Sequence, residues 1–362
     1  MSDAATESTA LPGGIATGVG SWPGTDPREA AATMVGELPE LAHLVELPAR
    51  GAGSDMIGRA SALLVDLRLD TSVRGYRLGP GRGAVSRRAH DLLRTDVDAL
   101  EEAWETAGLL GSGRTVKVQS VGPLTLAAQV ELMNGHRVLT DTGAVRDLTE
   151  SLAEGVANHA AEVARRLGAT VVVQFDEPSL TDVLTGSLTG ASVLNIVRAL
   201  PEPEAQALLD TVLTAQTGPT LLHTCAGRPA LNFLRGTAAT VIGFDLGRIG
   251  TADLDSVGEL LDAGKHVALG LIPTTAPAVP PSWRELAEPG VRLLDRLGMP
   301  RRLLAERVLV TPTCGLAGAT PAWARRALTL AREIAHAYSD EPEALALRDK
   351  VSRPRTVGYD PR

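Results

Sequence analysis

The chain has 362 residues, 44% hydrophobic and 22% charged, ordinary globular usage that sets aside a disordered or fibrous protein. Acidic residues outnumber basic ones 43 to 35, a formal charge of −8, and aromatics are only 3%, so nucleic acid is poorly served as a partner. No apolar run approaches the roughly 20 residues of a membrane-spanning helix, residues 1–14 read as a tail without the features of a secretory leader, and two cysteines in so long a chain are expected to be reduced thiols of a cytoplasmic protein.

Short runs rich in Val, Ile and Leu, bounded by Gly or Pro and followed by helical patterns, recur along the chain. A strand at 15–21 leads to a helix at 27–38, where Asp26 offers an acceptor to unpaired N–H groups and Pro27 suits the first turn. Strand 42–47 precedes helix 55–67. In the long connection that follows, Arg74, Arg77, Arg82, Arg87, Arg88 and Arg94 stand among glycines and a proline. It reads as a flexible cationic loop, either placed over the site to meet an anionic substrate tail or simply solvated. Helix 96–110, strand 116–121, helix 145–167 and strand 171–175 come next, then helices 191–200 and 204–215, strand 220–223 and helix 229–234. Strand 240–244, helix 254–263, strand 266–271, helix 282–297, strand 308–311 and helix 321–338 complete the alternation.

Eight near-continuous apolar strands, spaced by about 45 residues, predict an α/β fold of the (β/α)8 TIM-barrel type, with an open doubly wound sheet as the alternative. The barrel is a single domain over 15–338, between the tail 1–14 and a C-terminal extension 339–362. It is preferred because Ser21, Glu46, Gln119, Asp176, His223, Asp245 and Cys314 fall at or just past the C-terminal ends of strands, where a barrel gathers its active site.

His223 and Cys225 are two apart in an extended segment and so point to the same side. Asp245 ends the next strand and Cys314 follows the last one. One imidazole, two thiolates and a carboxylate make a plausible four-coordinate set for Zn²⁺, a borderline-soft ion that takes N, S and O donors. Two thiolates and a carboxylate leave such an ion a poor Lewis acid for hydrolysis but able to hold a substrate thiol as thiolate, which favours alkylation of sulfur. The carboxylate is the weakest donor and the one expected to yield to an incoming sulfur. Buried Asp176 and Glu177, before Pro178, either grip an ammonium through charge-assisted hydrogen bonds or cap a helix.

The ordered motifs resemble the catalytic barrel of the cobalamin-independent methionine synthases. Val19-Gly20-Ser21-Trp22-Pro23-Gly24-Thr25 is similar to that family's opening Ile-Gly-Ser-Phe-Pro-Gln-Thr, and Asp55-Met56-Ile57 to its Asp-Met-Val. Gly122-Pro123-Leu124-Thr125 resembles Gly-Pro-Val-Thr, and Gln174 to Leu180 resembles Gln-Ile-Asp-Glu-Pro-Ala-Leu. His223-Thr224-Cys225 and Cys314-Gly315-Leu316 match the zinc motifs. The resemblance implies a methyltransferase with His223, Cys225 and Cys314 on zinc, Asp245 in place of a family Glu, and Ser21 and Asp176 at the amino-acid part of homocysteine.

Two departures stand out. A family Glu that helps bind the substrate ammonium is replaced by Gly58, for which Glu46 is the expected substitute, and a proton-donating His after strand seven is replaced by Thr275. Methyl-folate leaves well only when its N5 is protonated. A methyl-corrinoid protein, which needs no such acid, therefore stands beside methyl-folate as the expected donor. His43 and His266 lie toward strand starts and are expected to be structural. The competing expectations are a zinc methyltransferase for another thiol, a zinc-free decarboxylase on the same barrel, and a zinc-binding relative without turnover.

Overall fold

The computed structural model describes residues 11–79, 83–190, 197–225 and 227–345. The first half runs β1 Ile15–Ala16, α1 Pro27–Glu37, β2 Ala42–His43, α2 Met56–Ala60, β3 Leu69–Ser72, β4 Gly75–Leu78 and α3 Ala84–Thr106, then β5 Thr115–Val121, α4 Pro123–Gln129, β6 Val130–Glu131 and α5 Thr142–Leu167. The second runs β7 Thr170–Asp176, α6 Leu180–Thr185, α7 Glu202–Thr214, β8 Thr220–Thr224, α8 Leu231–Arg235, β9 Val241–Asp245 and α9 Leu254–Asp262, then β10 His266–Ile272, α10 Trp283–Leu297, α11 Leu303–Arg307, β11 Val308–Pro312 and α12 Pro321–Asp340. Helix α1 begins as its sequence dictates, with the Asp26 carboxylate accepting from the backbone N–H groups of Arg28 and Glu29.

Among the described residues, eight strands form one parallel sheet in the order β1-β11-β10-β9-β8-β7-β5-β2. All eight expected strands are present, although β1 and β2 are two residues each. These two occupy opposite edges of the sheet, yet the chain just beyond them meets. Ser21 and Glu46 form a parallel bridge, in which Glu46 N donates to Gly20 O at 3.1 Å and Trp22 N to Glu46 O at 2.9 Å. The sheet is curled until its edges touch there.

Both faces of the sheet are covered, which is why its strands read as unbroken apolar runs. On β7, Val171, Val173 and Phe175 pack into the layer beneath the helices, while Val172 joins Leu221, Val241, Ala268 and Leu309 in a separate inner cluster. Because strand side chains alternate, the next inward positions are Gln174, His223, Gly243, Gly270 and Thr311, and the next on β7 and β8 are Asp176 and Cys225. The inner surface thus passes from hydrocarbon to hydrogen-bonding groups toward the C-terminal ends.

The connection between β2 and β5 departs from expectation. Instead of a flexible cationic loop, β3 and β4 pair as an antiparallel hairpin, β4 pairs with the short β6, and helix α3 starts at Ala84 rather than near residue 96. Ser86, Ala89, Leu93, Val97 and Leu100 form the buried face of that helix. Arg74 pairs with Glu131 at 2.6 Å, and Arg88 donates to the carbonyls of Ala52 and Arg50. The hairpin escapes pattern reading because each strand contributes a single buried residue, Leu69 and Tyr76. Arg82 and residues 191–196 of an expected helix lie outside the described residues, as do 1–10 and 346–362. The expected tail is already ordered by Leu11, which is buried in the inner cluster, and Gly14 N donates to Val308 O at 2.7 Å. Among the described residues, no helix is long and apolar enough to cross a membrane.

Candidate functional site

At the C-terminal ends of the strands lies a cavity of about 220 Å³, lined by Val19, Gly20, Ser21, Glu46, Pro48 and Met56 on one side and by Asp176, Pro178, His223, Cys225, Cys314 and Gly315 on the other. Six of the eight residues expected at the site therefore share one wall system. The other two, Asp245 and Glu177, do not line it.

His223 and Asp176 face each other across β7 and β8, as the strand register pairs them. His223 Nδ1 donates to Asp176 Oδ1 at 2.8 Å, and Gln174 Nε2 donates to the same oxygen at 2.8 Å and to Val19 O at 2.7 Å. The carboxylate thus fixes the imidazole tautomer, leaving Nε2 with its lone pair.

The two cysteine sulfurs, 89 residues apart in the chain, are 2.8 Å from one another. The contact between the two sulfurs, against the effect of burial and with the help of His223 and Gly315, brings the Cys314 thiol down to about 6. The same contact, together with burial, pushes Cys225 up. Among the described residues, no group of three or more His, Cys, Asp or Glu side chains is drawn together as a formed metal cluster.

Asp245 is directed to its own turn, accepting from Gly247 N at 2.8 Å and lying 3.5 Å from Arg248 Nε. Glu177 is fully buried and accepts from Leu124 N at 2.8 Å, Thr125 N at 2.7 Å and Thr125 Oγ1 at 2.6 Å. Of the two chemistries its sequence allows, the helix cap is the one formed. Ser21 sits so close to Gly315 that any Cβ at 315 would overlap its hydroxyl, and Leu316 N donates to Ser21 O at 2.8 Å. His43 is buried, bonded to Leu44 O and lowered to about 3 by burial and by Lys117, as suits a structural role. His266 is likewise buried at the start of β10. Thr275 is exposed in the loop after β10.

Two cations under the cavity are missed by the sequence reading. Lys117, buried on β5, donates to Val19 O at 3.1 Å and is brought down to about 8 by burial, opposed by Asp176 and Glu46. Arg59, buried on α2, lies 3.6 Å from Glu46 and 3.1 Å from Asp96. The signal for Lys117 is a charged residue at an inward position of the apolar run Thr115–Val121. Arg59 carries none, since a lone Arg in a helical pattern reads as surface. At Gly58 a Cβ would overlap the Tyr76 hydroxyl and stand 2.8 Å from Asp55 Oδ2, because these two side chains hydrogen-bond in the space a longer residue would need.

Residues 15–337 match the family described as the cobalamin-independent synthase catalytic domain. The chain belongs to that family, which makes it a methyltransferase. Among solved structures it is similar to a B12-independent methionine synthase from Shewanella sp. W3-18-1, in complex with selenomethionine, at 13% identity and a TM-score of 0.55, covering 92% of this chain and 98% of that one. A GH113 β-1,4-mannanase complex aligns at 10% identity and a TM-score of 0.39, over 89% of this chain and 99% of the other. No curated protein matches.

Proposed function

We propose that the protein is a zinc-dependent thiol S-methyltransferase that converts homocysteine to methionine, with His223, Cys225 and Cys314 as the zinc ligands. One observation carries the reading. The chain's two cysteines, remote in sequence, meet on the wall of the cavity that also holds a histidine oriented by a carboxylate. Imidazole nitrogen and two sulfurs are donors that zinc prefers, and three protein ligands leave a position open for a substrate. The pair, 2.8 Å apart, would have to open to hold an ion. Asp245, now accepting from Gly247 N, would be the fourth donor on release from that turn.

Bound zinc supplies one thing, a thiol held as thiolate at neutral pH. The rest falls to the chain. Asp176 orients His223, while Asp176, Glu46 and the Ser21 hydroxyl hold the amino-acid head and so fix the sulfur for in-line attack on a methyl group. Glu177 keeps the turn into α4 in place. In the same reading the span 15–338 is one closed (β/α)8 barrel, and its reduced thiols suit the cytoplasm.

Thr275 favours a second reading of the donor. With no acid in that loop, a methyl-folate receives no proton there as its N5 departs. A methyl-corrinoid protein needs none. Incubating the purified protein with homocysteine and each donor in turn distinguishes them.

The assignment itself is tested with Cys314→Ser, scored for zinc by elemental analysis and for thiol-dependent methyl transfer. Loss of both is expected. A variant that keeps its zinc, or a wild-type protein that binds none, overturns it.

A further inference from the structure

Glu46 enters the cavity with its carboxylate buried, and behind it stands a row of alternating charges. Arg59 Nε lies 3.6 Å from Glu46 Oε1, Arg59 NH1 lies 3.1 Å from Asp96 Oδ2, and Arg50 grips Asp96 with NH1 at 2.8 Å and NH2 at 2.7 Å. The side chains of Arg59 and Asp96 are 5% and 1% exposed. Arg59 Nε and NH2 have no hydrogen-bond partner. A guanidinium so desolvated is a costly thing to bury, and Asp96 is already neutralised by Arg50. The uncompensated positive charge is therefore matched by Glu46.

We propose that Arg59 is a positioning residue, held by Asp96 and Arg50, which keeps Glu46 anionic and aimed into the cavity so that the site selects a thiol or thioether carried on the same small molecule as an ammonium group. The inference rests on the amino-acid thiol reading above and adds the device that reads the amine. It also explains why an acid is dispensable at position 58. The Tyr76–Asp55 hydrogen bond fills that space, and the negative charge comes from the other wall. Burial, with Asp176, pushes the Glu46 carboxyl up, and Arg59 is the strongest of the groups that oppose this, ahead of Gln119 and Lys117. Arg59 is the charged group nearest to its carboxylate among the ion pairs.

The test compares L-methionine with its 2-hydroxy analogue, which lacks only the amine, by calorimetric titration of the wild-type holoprotein and of Arg59→Met, Arg59→Lys and Glu46→Gln. A hydrogen-bonded charge is worth about ten-fold or more in affinity. Wild type is expected to prefer L-methionine by at least that factor. Arg59→Met and Glu46→Gln should each abolish the preference, with the loss falling far more on L-methionine than on the hydroxy analogue, and Arg59→Lys should restore most of it. Should Arg59→Met fail to fold, Glu46→Gln and Arg59→Lys carry the comparison. Equal loss for both ligands, or a preference that survives in Glu46→Gln, overturns the role of Arg59 and Glu46. A wild type that binds neither ligand overturns the amino-acid reading itself.

Discussion

Asp176 accepts from His223 Nδ1 at 2.8 Å and from Gln174 Nε2 at 2.8 Å, so that one carboxylate oxygen sets both a ring tautomer and its own rotamer. Partners of this kind, one step behind a metal ligand, typically govern metal affinity by about 10- to 100-fold. Asp176→Ala should therefore weaken zinc binding by about that range, measured by competition with a chromogenic chelator. Unaltered retention of zinc would show that His223 is not held for a metal.

Glu177 offers a pH-dependent stability. Burial raises its carboxyl from 4.5 to about 7, against the pull of Thr125 and Leu124. The native state thus keeps a proton that the unfolded chain releases. The stability this provides is full below about 4.5 and is lost as pH rises through about 7. Urea midpoints between pH 4.5 and pH 8 should fall more steeply for wild type than for Glu177→Gln, by up to about 3 kcal/mol. Parallel slopes would contradict the assignment.

Asp96 sits between Arg50 and Arg59 with 1% of its side chain exposed. Removing it leaves Arg50 and Arg59 facing each other with Glu46 alone to offset them. Asp96→Ala is expected to cost about 3–5 kcal/mol in equilibrium unfolding, far more than Arg28→Ala, whose partner Glu102 is exposed. A loss below about 1 kcal/mol for Asp96→Ala would mean that water reaches the row of charges.

Gly58 is the one position where restoring a family side chain should do harm. Gly58→Glu must displace the Tyr76 hydroxyl from Asp55. We expect a destabilisation of about 1–3 kcal/mol and no gain in amino-acid affinity. Improved binding together with unchanged stability would show that the hairpin yields easily.

The eight-strand alternation is legible in the chain because parallel strands covered on both faces are mostly apolar, as β7 and β10 are, and these are buried along nearly their whole length. Alternation likewise brings His223 and Cys225 to one side, and both reach the cavity. Asp245 is different. Its place at the end of β9 is foreseeable, but its direction depends on a local competition, and the nearby N–H of Gly247 holds the carboxylate. Glu177 is turned away for the same reason, by three donors at the start of α4. The charges behind Glu46 are hidden further still. Arg50, Arg59 and Asp96 come from three places in the sequence, and what joins them is the packing of α2 on α3, which no single segment encodes.

The bridge between Ser21 and Glu46 has a mechanical consequence. These residues follow the two strands at opposite ends of the sheet order, and both line the cavity. A molecule held between them would act as a clasp where the two edges of the curled sheet meet, so that loading the site would also fasten the scaffold.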